Sequence, residues 1–203
     1  MLTVGKDAAE VEGLLVAGRL GCPECGGRLR GWGHARPRVL REAGGIGWRL
    51  VPRRARCGAC GRTHVLLPVS VLARRADVAG VIGVALAGAA AGLGHRRIAE
   101  RLGRPAATVR GWLRRFALRA GGLRSAFTAV LCQLDPDPLL PGPARSPVAD
   151  AVAAIVATAA AVVRRWGCGV VALSPWEAAA AVTGGWLLAP GTAVEVINTS
   201  CPW

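Results

Sequence analysis

The stretch "IAERLGRPAATVRGWLRRF", from Ile98 to Phe116, has the pattern of two short helices joined by a tight turn. The small residue Ala99 and the turn residue Gly103 stand at the spacing expected of a helix-turn-helix. Pro105 is expected at the first position of the second helix, where the backbone N–H would be unpaired anyway. The apolar run 78–91 is expected to supply the third helix of a trihelical domain. An i, i+3, i+4, i+7 stripe predicts the inward face of the second helix: Val109, Trp112, Leu113 and Phe116.

The opposite face of the second helix has residues that suit the major groove of DNA. Arg110 and Arg114 stand one turn apart, where each could bind guanine O6 and N7 as a bidentate pair. Small side chains beside them would let the helix backbone approach the bases. Other arginines would contact phosphates, and such contacts position the protein on DNA without reading its sequence. The predicted DNA-binding residues are Ala107, Thr108, Arg110, Gly111, Arg114, Arg115, Arg96, Arg97 and Arg104, with Arg101 and Arg119 as further phosphate contacts. The alternative is an ordinary helical hairpin with a solvated arginine face.

Basic residues are concentrated in residues 1–125, which contain 23 Lys and Arg against 7 Asp and Glu, a net charge of +16. Residues 126–203 contain 3 basic residues against 5 acidic ones. A basic block of this density attracts polyanions, of which nucleic acid is the commonest. Taken alone, the charge is equally compatible with an arginine-rich surface that serves only solubility.

Two C-x2-C pairs predict a metal site. They lie in "CPECGG" at 22–27 and "CGACGR" at 57–62, and the predicted zinc ligands are Cys22, Cys25, Cys57 and Cys60. Four thiolates complete a tetrahedral zinc site with no open position, so a structural role is expected. Gly26 and Gly61 suit tight turns that need positive φ. Short β-like runs between and after the pairs complete the pattern of a zinc ribbon, and Arg53, Arg54 and Arg56 are expected to add phosphate contacts.

Other interpretations of these residues are less favoured. The four thiols would be unliganded in the simplest alternative, and a redox C-x2-C pair would need a βαβ pattern that the sequence lacks. His64 follows Cys60 by four positions and could replace a cysteine, but with four cysteines present His64 and His34 are expected beside the site or on the surface. Cys132, Cys168 and Cys201 are interpreted as ordinary core or tail residues.

Acidic residues in the first twenty positions argue against a secretory signal, since they fall where its apolar segment would be. A reducing cytoplasm is therefore expected, with cysteines acting as ligands rather than in disulfides. Asp7 followed by Glu10 predicts the start of a short helix. The apolar runs 78–94 and 151–163 are shorter than the roughly 20 residues of a membrane span, so we expect buried helices and no membrane.

The predicted fold class is mainly α with a small β zinc ribbon, a trihelical helix-turn-helix domain and an Ala-rich helical tail. Five prolines in "DPDPLLPGPARSP" predict a linker there. In the tail, "SPWE" predicts a helix capped by Ser174, and Gly184–Gly185 its end. The last residues, "EVINTSCPW", are expected to be frayed or strand-like. The predicted segments are a helical lead-in (1–20), zinc ribbon (21–72), DNA-binding domain (76–134), linker (135–147) and helical tail (148–203).

A zinc ribbon followed by a trihelical helix-turn-helix resembles the N-terminal, DNA-binding half of many bacterial transposases. The segments "RCGACGRTHVLLP" and "GHRRIAERLGRPAATVRGWLRRF" are more closely similar to a family of short proteins from high-GC bacteria, a domain of unknown function with a helix-turn-helix whose members tend to lie near mobile elements. The resemblance spans roughly residues 10–190. It implies a DNA-related setting but no defined activity.

We expect a non-enzymatic protein that binds double-stranded DNA. Strand transfer by a transposase needs three carboxylates on a mixed α/β scaffold, and the region after the helix-turn-helix has too few residues and strands for it. The chain also lacks tyrosine, which excludes a covalent tyrosine recombinase. A homodimer is expected because one helix-turn-helix reads few base pairs. The alternatives are an accessory subunit or remnant of a mobile element with a recombinase partner, and a zinc-stabilised protein- or RNA-binding module.

Overall fold

A computed structural model describes residues 1–166 and 173–189 of the chain, and about half of these residues are helical. The strands are β1 (Leu2–Val4), β2 (Leu29–His34), β3 (Arg38–Arg41), β4 (Gly47–Leu50), β5 (Arg53–Cys57) and β6 (Thr63–Pro68). The helices are α1 (Ala8–Val16), α2 (Ala79–Ala90), α3 (His95–Leu102), α4 (Ala106–Ala117), α5 (Ala120–Leu134), α6 (Pro147–Trp166) and α7 (Pro175–Val182). The prediction of a mainly α fold with a small sheet is confirmed in its coarse form, with about half of the described residues in helices and one small four-stranded sheet beside a hairpin. The predictions for Cys168, Cys201 and the "EVINTSCPW" segment lie outside the described residues.

The small sheet has the strand order β1-β6-β5-β2. β5 pairs antiparallel with both β2 and β6, whereas β1 pairs parallel with β6. The first twenty residues are therefore more than the predicted helical lead-in, because Leu2 and Val4 are buried parts of this sheet. The helical part of the prediction is confirmed: Asp7 caps α1 by accepting hydrogen bonds from the backbone of Ala9 and Glu10.

Three helices, α2 to α4, pack around one core. Within α4 the predicted inward stripe is confirmed, since Val109, Trp112 and Phe116 are buried and Leu113 packs against them. The turn between α3 and α4 is formed by Gly103, whose φ of 59° is the left-handed conformation that glycine favours. Pro105 was predicted at the first position of the second helix. It is instead the N-cap residue of α4, and the helix begins at Ala106.

The alanine-rich helices after residue 146 belong to the same core as α2 to α5. Residues 135–146 form neither helix nor strand, as their prolines predict. Beyond them α6 packs along α5, and the hydroxyl of Thr158 donates to the carbonyl of Phe127 at 2.9 Å. α7 has the predicted capping box of Ser174 and Glu177, and its Trp176 packs its ring directly against Gly83 of α2. The described part of the tail is thus packed against the helical core.

A buried ion pair joins the β3–β4 hairpin to the helices. The side chain of Asp77, which precedes α2, is 3% exposed and accepts from Arg104 Nε at 2.6 Å and from Arg41 Nη2 at 2.9 Å. Arg104 Nη2 also donates to the carbonyl of Glu42 at 2.7 Å. Arg104 lies in the turn between α3 and α4, so these contacts fix the position of α4 relative to the hairpin.

Among the described residues, α6 is the one helix long and apolar enough to cross a membrane, with a mean hydropathy of 1.6. Half of its most apolar window is buried inside the protein. This is weak evidence for a membrane span, and it is compatible with the core helix of a soluble protein.

Replacing Asp77 by asparagine is expected to destabilise the protein by about 3–5 kcal/mol, because Arg104 then keeps a buried charge without a counter-ion. Chemical denaturation followed by circular dichroism measures this. The matched control is Glu24→Gln, which breaks the Glu24–Arg62 pair at 2.7 Å. Both partners of that pair are exposed, so the control is expected to cost less than about 1 kcal/mol. Equal effects of the two variants would contradict the role assigned to the buried pair.

Candidate metal centre and nucleic-acid interface

The four predicted metal ligands converge at one point. The thiol sulfurs of Cys22, Cys25, Cys57 and Cys60 lie within 4.8 Å of one another. Cys22 Sγ is 3.8 Å from Cys60 Sγ, and Cys25 Sγ is 3.6 Å from Cys57 Sγ. All four cysteines are free thiols. A cluster of this kind can hold a metal ion.

Two turns of the same construction present these thiols. In the first turn the N–H of Cys22 donates to Gly27 and the N–H of Gly26 donates back to Cys22, at 2.7 and 2.8 Å. In the second turn Cys57 is paired in the same way with Arg62 and Gly61, at 2.8 and 3.1 Å. Gly26 and Gly61 each have a φ of 71°, which confirms the prediction that both turns need positive φ.

Backbone groups in the second turn favour the charged form of Cys57. The N–H groups of Cys60 and Ala59 point at Cys57 Sγ, at 3.5 and 3.4 Å. The hydrogen bond from Cys60 is the largest cause that lowers the pKa of Cys57 to about 6. Because thiolates are the form of cysteine that binds metal, the turn prepares this side chain as a ligand.

The two histidines differ in their relation to the cluster. His64 is buried, and its Nε2 lies 3.4 Å from Cys22 Sγ, so it contacts one ligand from beside the group of four sulfurs. Burial lowers the pKa of His64, which keeps its ring neutral. A neutral ring with its proton on Nε2 would donate a hydrogen bond to that sulfur. His34 is exposed on β2.

An exposed arginine surface covers the outer sides of α3 and α4. Its arginines are Arg96, Arg97, Arg101, Arg110, Arg114 and Arg115, all exposed. Arg115 Nη1 donates to the carbonyl of Gly111 in its own helix at 3.1 Å. Within the described ranges, none of the six forms an ion pair with a carboxylate. Ala107 is exposed beside them, whereas Thr108 and Gly111 are half-buried.

Two arginines predicted to contact phosphates are used inside the protein. Arg104 is 8% exposed and its guanidinium is bound by Asp77 and Glu42, so the prediction for this residue is wrong. Arg119 Nη1 donates to the carbonyls of Trp186 and Leu187, the latter at 3.0 Å. Both side chains hold parts of the fold together, and neither is free to bind a ligand.

Of the three sheet arginines predicted to contact phosphates, Arg53 differs from the prediction. Arg53 forms two hydrogen bonds with the carboxylate of Glu12 at 2.8 and 2.9 Å and a third with the carbonyl of Gly33. It therefore ties β5 to α1 and is not a phosphate contact. Arg54 is half-buried, and Arg56 is exposed with its guanidinium 4.8 Å from the centre of the Trp32 ring. The sequence interpretation missed Trp32, because one tryptophan on a short strand has no periodic signal.

The comparison with family models gives one match. Residues 22–112, just under half of the chain, match DUF6431, a domain of unknown function. Comparisons with curated proteins and with solved structures gave no significant match. The matched residues include all four cysteines of the cluster and extend through α3 into α4. The family match thus covers the whole cysteine cluster and part of the predicted DNA-binding surface, since it ends before Arg114 and Arg115, and it assigns an activity to neither.

Purified protein is expected to contain about one metal ion per chain, and Cys57→Ser is expected to lose most of it, because four thiolates are needed to close the site. Elemental analysis by mass spectrometry after gel filtration measures the metal content. Cys132→Ser is the matched control, since Cys132 is an exposed free thiol on α5 away from the cluster. Metal content that is equal in both variants would contradict the assignment.

Proposed function

We propose that the chain is a non-enzymatic protein that binds duplex DNA through a helix-turn-helix formed by α2, α3 and α4. The observation that carries the proposal is the exposed arginine surface of α3 and α4, which has no internal carboxylate partner in the described structure. Charged side chains on a folded protein are usually interspersed with opposite charges. A row of arginines without counter-ions is the arrangement that DNA phosphates neutralise.

In this proposal α4 is the recognition helix. Ala107, Arg110, Gly111 and Arg114 follow each other at i, i+3, i+4 and i+7, so they share one side of the helix. That side lies opposite the buried stripe that holds α4 in the core. Arg110 and Arg114 would read base edges, and Arg96, Arg97 and Arg115 would contact phosphates. The rigid attachment of the turn through Arg104 supports this role, because a reading helix must keep a fixed orientation.

We propose that the four cysteines bind zinc and that the surrounding strands form a zinc ribbon. Sulfurs at the corners of a tetrahedron around zinc, with Zn–S near 2.3 Å, are about 3.8 Å apart. Two of the sulfur pairs here are separated by 3.6 and 3.8 Å, which fits that geometry. A site closed by four thiolates leaves no position for substrate, so the metal would stabilise the fold.

The proposal includes a homodimer in the cytoplasm. One recognition helix covers only a few base pairs, and helix-turn-helix proteins extend their site by pairing two copies. Reduced thiols at the metal site suit a reducing compartment. A recombinase partner, as the resemblance to transposases implies, is the alternative route to a longer binding site.

The test is selection of duplex DNA from a random pool by the metal-loaded protein at about 150 mM salt, where non-specific phosphate binding is weak. An enriched motif is expected. The double variant Arg110→Ala/Arg114→Ala is expected to bind that motif at least about tenfold more weakly, because each bidentate contact contributes to base discrimination. Fluorescence anisotropy with the selected duplex measures the affinity.

The control for this test is Arg164→Ala/Arg165→Ala, which removes the same charge from the exposed end of α6. Its affinity for the selected motif is expected to stay within about twofold of the parent protein at this salt concentration. If no motif is enriched, or if both double variants weaken binding to the selected motif equally, α4 does not read sequence.

A further inference from the structure

A second basic surface lies on the sheet, apart from α3 and α4. In β2 and β5, Leu29 pairs with Cys57 and Gly31 pairs with Ala55, and the buried members of these pairs define the inner face. Arg30 pairs with Arg56 between them. Because side chains alternate along a strand, both arginines lie on the outer face, where both are exposed.

Two like charges directly opposite each other in an antiparallel ladder are unfavourable. Nothing in the neighbouring strands relieves this pair, since β2, β5 and β6 contain no acidic residue. Arg54 is two positions from Arg56 and adds a third arginine to the same face, where its Nε has no hydrogen-bond partner. The surface therefore has the charge of an anion-binding site that no group of the sheet neutralises.

An aromatic ring lies beside these arginines. Trp32 is 53% exposed, although tryptophan normally buries most of its surface. The guanidinium of Arg56 stacks 4.8 Å from the ring centre, and its Nε donates to the carbonyl of Gly61 at 3.2 Å. The ring and the two arginines line an open groove of about 490 Å³, whose floor is the second cysteine turn.

We propose that this outer face binds single-stranded nucleic acid, with an unpaired base stacked on Trp32 and a phosphate between Arg30 and Arg56. The indole face opposite the Arg56 guanidinium offers a flat apolar surface to the face of a base, and base faces are accessible only where a strand is unpaired. A duplex would satisfy the arginines but would leave the indole exposed. The site uses no residue of α3 or α4, so it goes beyond the proposed reading of duplex DNA.

The test uses the full metal-loaded chain and a fluorescein-labelled dT12 oligonucleotide, with affinity measured by fluorescence anisotropy. Trp32→Ala is expected to weaken binding about 5- to 150-fold, the range for loss of one base–aromatic stack. Arg30→Ala and Arg56→Ala are each expected to weaken binding. Each is also expected to reduce the slope of log affinity against log salt concentration by about 0.7, the value for loss of one phosphate contact with a single strand. Trp32→Phe is expected to retain most of the affinity, because it keeps an aromatic face.

Trp166→Ala is the matched control, since Trp166 is also exposed and also lies under an arginine, Arg165, at 5.3 Å. Its affinity for dT12 is expected to equal that of the parent protein. Metal content and melting temperature are measured for every variant. If Trp32→Ala misfolds, the comparison of Trp32→Phe with Trp32→Leu decides between an aromatic and a merely apolar contact.

Three outcomes would overturn the proposal. The first is unchanged dT12 affinity in a folded Trp32→Ala or Trp32→Leu protein. The second is competition by duplex DNA or polyglutamate as strong as that by unlabelled dT12, which would indicate a general anion site. The third is loss of dT12 binding in Arg110→Ala/Arg114→Ala with retention in Trp32→Ala, which would move the site to α4. Failure of the duplex selection leaves these outcomes unaffected, so the two proposals are tested separately.

Discussion

Four thiol sulfurs from two separate turns lie within 4.8 Å of one another, at the end of β5 in the small sheet. The apolar cluster under the sheet is small, and two of its ten buried residues are the ligand candidates Cys22 and Cys57. In so small a core, a cross-link between the two cysteine turns would add a large share of the folding free energy. A metal bound by the thiolates would supply it, because the free energy of metal binding is then also free energy of folding. The shape of the exposed groove beside the second cysteine turn would depend on the same cross-link.

Buried polar contacts join the β3–β4 hairpin to the helices. Arg41 at the end of β3 and Arg104 in the turn before α4 share the buried carboxylate of Asp77. The backbone adds to this connection, since Arg41 exchanges hydrogen bonds with Ala76 and Val78 on either side of Asp77. The exposed arginines of α4 are therefore held at a fixed position relative to the hairpin by buried groups.

The sequence predicted the features that depend on short spacing. The two C-x2-C turns, the buried stripe of α4 and the capping box of α7 each lie within about eight residues, so their pattern is visible without knowing the fold. The errors concern contacts between distant residues. Arg104 binds Asp77, 27 positions away, and Arg53 binds Glu12, 41 positions away. An arginine used in the fold and one left on the surface look the same in sequence. The parallel pairing of β1 with β6 likewise cannot be predicted from the three residues of β1.

Internal pairing also changes what the net charge means. Several basic residues of the N-terminal block are paired with carboxylates within the fold: Arg41 and Arg104 share the carboxylate of Asp77, and Arg53 binds Glu12. The arginines left without carboxylates include those of α3 and α4 and those on the outer face of β2 and β5. These two surfaces have similar charge but different chemistry. The α4 surface combines arginines with small residues, which suits close approach to a groove. The sheet surface combines them with an exposed indole, which suits the face of an unpaired base. The residues beside the arginines, small on α4 and aromatic on the sheet, therefore distinguish the duplex ligand from the single-stranded one, whereas the number of arginines does not.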